Sequence, residues 1–143
     1  MKLPTLLLVE DNPDDALLFR RALRGCPMKI DLQQVDDGQT AVNYLKGEGR
    51  FSDRKTYPMP GLVVLDVQMP GFGGLAVLQW IRQQPRLQGL PVVVLSGSDR
   101  GKSVEEAMEC GADTYLVKGA DTAELVRLLE HANLNWTATA AIH

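Results

Sequence analysis

Apolar residues gather in five short runs: TLLLV (5–9), MKIDLQQV (28–35), GLVVL (61–65), PVVVL (91–95) and TYLVK (114–118). Three of these are apolar almost throughout instead of alternating, the pattern of strands covered on both faces. Helical patterns fill the intervals. Asn12 is placed to cap a helix with Pro13 at its first position, and Ala16, Phe19 and Leu23 recur on one side. Gly38 to Leu45 predicts a short second helix. Leu75, Leu78 and Ile81 mark a third that Pro85 stops, and Val104, Ala107 and Met108 a fourth that Gly111 ends. Asp121 and Glu124 read as a capping box before Leu125, Leu128, Leu129 and Ala132. Five strand–helix units in strict alternation imply an α/β fold, a parallel sheet with right-handed crossovers and helices on both faces. The long irregular stretch at 47–61 is expected to be mobile or used for contact.

Composition narrows the class. The chain has 143 residues, 45% hydrophobic and 23% charged, enough to bury the core of one domain. A net charge of −3 supplies no basic field for phosphate backbones, so no nucleic-acid partner is expected. The apolar run near the N-terminus is too short to span a bilayer, which predicts a cytoplasmic protein with no membrane partner. Cys26 and Cys110 lack metal-ligand spacing and read as reduced thiols.

Open parallel sheets bind ligands at the carboxyl ends of their strands. Those ends carry Glu10 and Asp11, then Asp66, Ser96 and Lys118. Three carboxylates in one cleft repel each other unless a cation joins them, and hard oxygen ligands of this kind suit Mg²⁺. Lys118 offers a point charge for an anion and Ser96 a hydroxyl donor. Such parts can hold a phosphoryl group, with Asp66 as the nucleophile that accepts it.

Four motifs carry a family resemblance: LLLVEDN at 6–12, LDVQMPGFGG at 65–74, VVLSG at 93–97 and GADTYLVK at 111–118. Over nearly its whole length the chain resembles a response-regulator receiver domain, most like the stand-alone receivers paired with bacterial phytochrome histidine kinases. The resemblance implies a flavodoxin-like, doubly wound sheet in the order 2-1-3-4-5, with a receiver domain over 1–134 and a tail over 135–143. It implies that Asp66 is the phosphoacceptor in a Mg²⁺-dependent reaction, catalysing only its own phosphorylation and dephosphorylation. Asp11 would ligate the metal directly beside Asp66, Glu10 through water, and Gln68 through its carbonyl. Ser96 and Lys118 would hold the phosphoryl oxygens, and Tyr115 would turn inward as Ser96 moves, repacking the face of helix four, strand five and helix five. The implied partner is a sensor histidine kinase or a phosphotransfer protein. With no output domain in the sequence, and with Leu134, Trp136 and Ile142 beyond the last helix, a homodimer through that face and the tail is expected.

The chain departs from the family at Gly119, where Pro in a cis peptide usually follows the Lys. A cis bond without Pro costs about 2.5–4 kcal/mol, which predicts a trans bond or a loosened loop here. Ser96 replaces the commoner Thr. Rival chemistries fit less well. SGSDRGKS at 96–103 approaches a nucleotide-binding P-loop, but its glycines fall out of register and Asp99 would sit in the phosphate cradle. An aspartyl phosphatase would want a second carboxylate where Gln68 stands. A receiver-like interaction module that is not phosphorylated is the remaining alternative.

Overall fold

The computed structural model describes residues 3–97 and 101–132. Its five strands are β1 (Thr5–Val9), β2 (Asp31–Val35), β3 (Leu62–Asp66), β4 (Val92–Ser96) and β5 (Thr114–Val117). They alternate with α1 (Pro13–Arg24), α2 (Gly38–Lys46), α3 (Gly74–Gln83), α4 (Lys102–Glu109) and α5 (Thr122–Ala132). Every pairing is parallel and the order is β2-β1-β3-β4-β5, the doubly wound, flavodoxin-like arrangement expected. The order reverses between β1 and β3, so the cleft beyond their carboxyl ends is the switch point of the sheet.

Strand alternation splits the core in two. Leu7, Val9, Val63, Leu65, Val92 and Val94 face α2, α3 and α4, where they meet Ala41, Tyr44, Val77, Leu78 and Ile81. Leu6, Leu8, Leu62, Val64, Val93 and Leu95 face α1 and α5, where they meet Ala16, Phe19, Leu125 and Leu129. Burial on both faces explains why β1, β3 and β4 read as unbroken apolar runs.

The helix ends follow the local chemistry. Asn12 Oδ1 accepts from the N–H groups of Asp14 and Asp15 at 2.8 and 3.1 Å, opening α1. Glu124 N–H donates to Asp121 Oδ1 at 2.9 Å, opening α5. Three expectations need correction. Strand two begins at Asp31, not Met28, because its only neighbour β1 begins at Thr5. Met108 is exposed, since among the described side chains of α4 only Val104 and Ala107 turn fully inward. The stretch 47–61 packs on its own domain: the Phe51 ring lies tilted against Tyr44 and edge-on to Tyr57, with centroids 4.9 and 5.0 Å away, and Arg54 donates to the carbonyls of Tyr44, Leu45 and Tyr57. Both cysteines are free thiols. Leu134, Trp136 and Ile142 lie outside the described residues, as does Asp99 of the P-loop-like stretch.

Candidate functional site

Asp66 is the last residue of β3 and only 2% exposed. The chain leaves it through a tight turn into α3, and a side chain at Gly74 would overlap the Asp66 carbonyl oxygen. Only glycine lets the first turn of α3 close against the strand end. The same turn aims the Gln68 N–H at Asp66 Oδ1, 2.8 Å away. The other oxygen, Oδ2, accepts from Lys118 Nζ at 3.0 Å.

Glu10 and Asp11 follow β1. Glu10 is buried, with Oε2 accepting from the Asn12 N–H at 3.2 Å. Its Oε1 lies 3.5 Å from Lys118 Nζ but takes part in no hydrogen bond with a described group. Asp11 is exposed at the mouth. One carboxylate oxygen from each of Glu10, Asp11 and Asp66 falls within 4.8 Å of the others. The cleft therefore brings together the acids that the strand ends predicted.

Electrostatics separate the two buried acids. Burial and a hydrogen bond to Asp66 push Glu10 up to about 8, so its protonated form is favoured far beyond that of an ordinary carboxyl group. Burial opposes ionisation of Asp66 as well, but hydrogen bonds from Glu10, the Gln68 N–H and Lys118 outweigh it and keep Asp66 below the usual carboxylate range. Asp66 is thus the anionic member of the pair. Burial would lower Lys118, yet its hydrogen bonds to Asp15 and Asp66 hold its ammonium charged.

Ser96 ends β4, buried, and its carbonyl accepts from the Lys118 N–H at 2.8 Å. Gln68 reaches across to this strand end, its Oε1 accepting from the Gly97 N–H at 3.2 Å. Tyr115 sits in β5 and is 38% exposed. The Lys118–Gly119 peptide is trans, and Gly119 has φ +84°, a region that proline cannot enter. The change from Pro to Gly does not set the lysine loose, because Asp15 and Asp66 both accept hydrogen bonds from its ammonium.

One of those carboxylates escaped the sequence reading. Asp15, in the first turn of α1, accepts from Lys118 Nζ at 2.8 Å, the shortest of the lysine's contacts. The signal was the acid pair Asp14-Asp15 after the Asn12 cap, which looks like an ordinary acidic helix start.

The chain is 30% identical over 137 residues to response regulator Rcp1 of Synechocystis, spanning 96% of this chain and 91% of that one. A crystal structure of the Mn(2+)-bound form of Rcp1 is similar over 93% of this chain and 94% of that chain, at 30% identity with a TM-score of 0.72. Response regulator RPA3017 of red light signalling in R. palustris is 36% identical, with a TM-score of 0.79 and 90% of each chain covered. The phosphorylated cyanobacterial phytochrome response regulator RcpA is 30% identical, with a TM-score of 0.76 and 96% of each chain covered. Residues 6–130 match the response regulator receiver domain, and the chain belongs to that family of two-component signalling proteins.

Proposed function

We propose that the chain is a single-domain response regulator that accepts a phosphoryl group on Asp66, with a receiver domain over 1–134 and a tail over 135–143. One Asp66 oxygen attacks phosphorus while the P–N bond of a donor phosphohistidine breaks. The bond's electron pair goes to the imidazole nitrogen, which leaves as neutral imidazole because the ring's other nitrogen keeps its proton. The observation that carries this reading is the buried, anionic Asp66 carboxylate held between an acidic cluster and the Lys118 ammonium.

The donor set fits Mg²⁺. Glu10 Oε1 is a buried oxygen with an unused acceptor, and Asp11 and Asp66 add hard oxygens beside it. Asp11, Asp66 and the Gln68 carbonyl would hold the ion directly and Glu10 through water. The bound cation supplies charge neutralisation at the phosphoryl oxygens. Lys118 pairs with those oxygens from the opposite side, and the Ser96 hydroxyl donates to them. Ser96 thereby shifts toward Asp66, and Tyr115 turns from solvent into the space left behind, repacking the surface of α4, β5 and α5. The outward ring of Tyr115 suits the resting half of that exchange.

The phosphoryl donor in this reading is a sensor histidine kinase of the phytochrome type, or a phosphotransfer protein, in the cytoplasm; the red light and phytochrome relatives support it. Among the described residues no helix is long and apolar enough to cross a membrane. Output passes through a homodimer on the α4–β5–α5 surface, where Met108 and Tyr115 expose apolar area. Transfer of labelled phosphate from an autophosphorylated histidine kinase tests the reading. Label on the parent with Mg²⁺, and none on Asp66→Asn, is expected; equal labelling of both leaves an unphosphorylated interaction module as the better account.

A further inference from the structure

Lys118 has three N–H donors, and the contact that holds it most closely is Asp15, not the acceptor Asp66. Among the described residues these two carboxylates are the acceptors of its hydrogen bonds. A small cavity opens between α1 and the loop from β5 to α5, lined by Asp15, Phe19, Leu116, Lys118 and Gly119. Gly119 lacks a side chain, and a Cβ there would touch nothing within 4 Å. The lysine chain therefore has room behind it and a permissive backbone ahead of it. Asp15 is better anchored. It sits in the first turn of α1, its N–H bonded to the Asn12 cap at 3.1 Å, and is half-buried against the lysine. Asp14, one residue earlier, is exposed and makes no contact with Lys118.

We propose that Asp15 is a positioning residue for phosphoryl transfer, tethering Lys118 Nζ beside Asp66. The inference rests on the assignment of Asp66 as phosphoacceptor. While Asp66 carries a free carboxylate, both acids hold the ammonium. Once Asp66 carries the phosphoryl group as an acyl phosphate, its pull on Lys118 weakens and Asp15 keeps Nζ at the phosphoryl group. One N–H stays on Asp15 and the others serve the phosphoryl oxygens. The tether takes over what a stiff loop after the lysine would otherwise do.

Phosphorylation rates with acetyl phosphate and Mg²⁺ test the tether, using the parent, Asp15→Asn, Asp15→Glu, Asp14→Asn, Lys118→Ala and the Asp15→Asn/Lys118→Ala pair. Asp15→Asn is expected to slow phosphorylation on the order of tenfold or more, the size that misplacement of a reacting group produces. Asp15→Glu, which keeps the charge, recovers part of the rate, and Asp14→Asn matches the parent. In the Lys118→Ala background, Asp15→Asn adds no further loss, because no ammonium is left to tether. Mg²⁺ affinity is unchanged, since Asp15 is not a ligand. A rate for Asp15→Asn equal to the parent, or an equal loss with and without Lys118, overturns the inference while leaving Asp66 in its role. A parent that takes no phosphoryl group overturns the assignment of Asp66 and the tether with it.

Discussion

Gln68 Oε1 accepts a hydrogen bond from the Gly97 N–H at 3.2 Å, joining the residue two beyond Asp66 to the residue just after Ser96. The Gln68 side chain thus spans the mouth of the cleft from β3 to β4, with its carbonyl oxygen engaged by backbone. An oxygen held in this way is poorly placed to activate water, which favours a shielding role for the side chain over a water-orienting one. Gln68→Ala is expected to shorten the phosphoryl lifetime a few-fold while changing stability by only about 0.5–1.5 kcal/mol, the value of one net hydrogen bond. Loss of label from the purified phosphorylated protein measures it. A longer lifetime in the variant would mean that Gln68 orients the attacking water.

Asp11 separates metal binding from folding. It is the exposed member of the acidic cluster, and its charge adds repulsion there. Asp11→Asn should leave stability within about 0.5 kcal/mol of the parent, or raise it, as surface changes do. Mg²⁺ affinity should fall by about tenfold or more, the loss typical of a disturbed metal site. Calorimetric titration with Mg²⁺ beside thermal unfolding reads both. A destabilised variant with intact affinity would make Asp11 a structural residue.

Glu10 links the site to pH. Its pKa rises from an ordinary 4.5 to about 8 in the folded, metal-free protein. The protonated form is the one the fold favours, so this contribution to stability is fully present below pH 4.5 and is lost as pH rises through about 8. Asp66, held below its ordinary value, keeps its charge across that window. Mg²⁺ competes with the proton on Glu10, so its binding should tighten as pH rises and release protons. Unfolding midpoints between about pH 5 and 9 should fall in chelator and fall less with Mg²⁺. Identical slopes in both buffers would contradict this.

Gly119 tests the rebuilt loop. At φ +84° a Pro cannot fit, and Gly119→Pro should cost more than about 1 kcal/mol and slow phosphorylation by shifting Lys118. Gly119→Ala meets open space and should cost only about 1–2 kcal/mol of backbone strain. Thermal unfolding of the two variants decides the point. A Pro variant as stable and as fast as the parent would mean that the loop has no fixed conformation.

The parts legible in the sequence are those set by short-range pattern. Apolar runs mark β1, β3 and β4 because both faces of each strand are covered, and the strand ends then place Glu10, Asp11, Asp66, Ser96 and Lys118. What escapes depends on contacts far apart in the chain. Asp15 meets Lys118 only because α1 lies beside the loop after β5, 103 residues away, and nothing local distinguishes it from Asp14. The aromatic packing of Phe51 with Tyr44 and Tyr57 has no periodicity to betray it. The start of β2 is hidden for a similar reason, since an edge strand extends only as far as its one neighbour.

The central claim is that Asp66 accepts a phosphoryl group with help from a divalent cation and Lys118, and intact-mass measurement after acetyl phosphate treatment tests it most directly. The account predicts one added phosphoryl mass on the parent with Mg²⁺, none when the metal is chelated, and none on Asp66→Asn. An equal mass on Asp66→Asn, or none on the parent at any Mg²⁺ concentration, would contradict it.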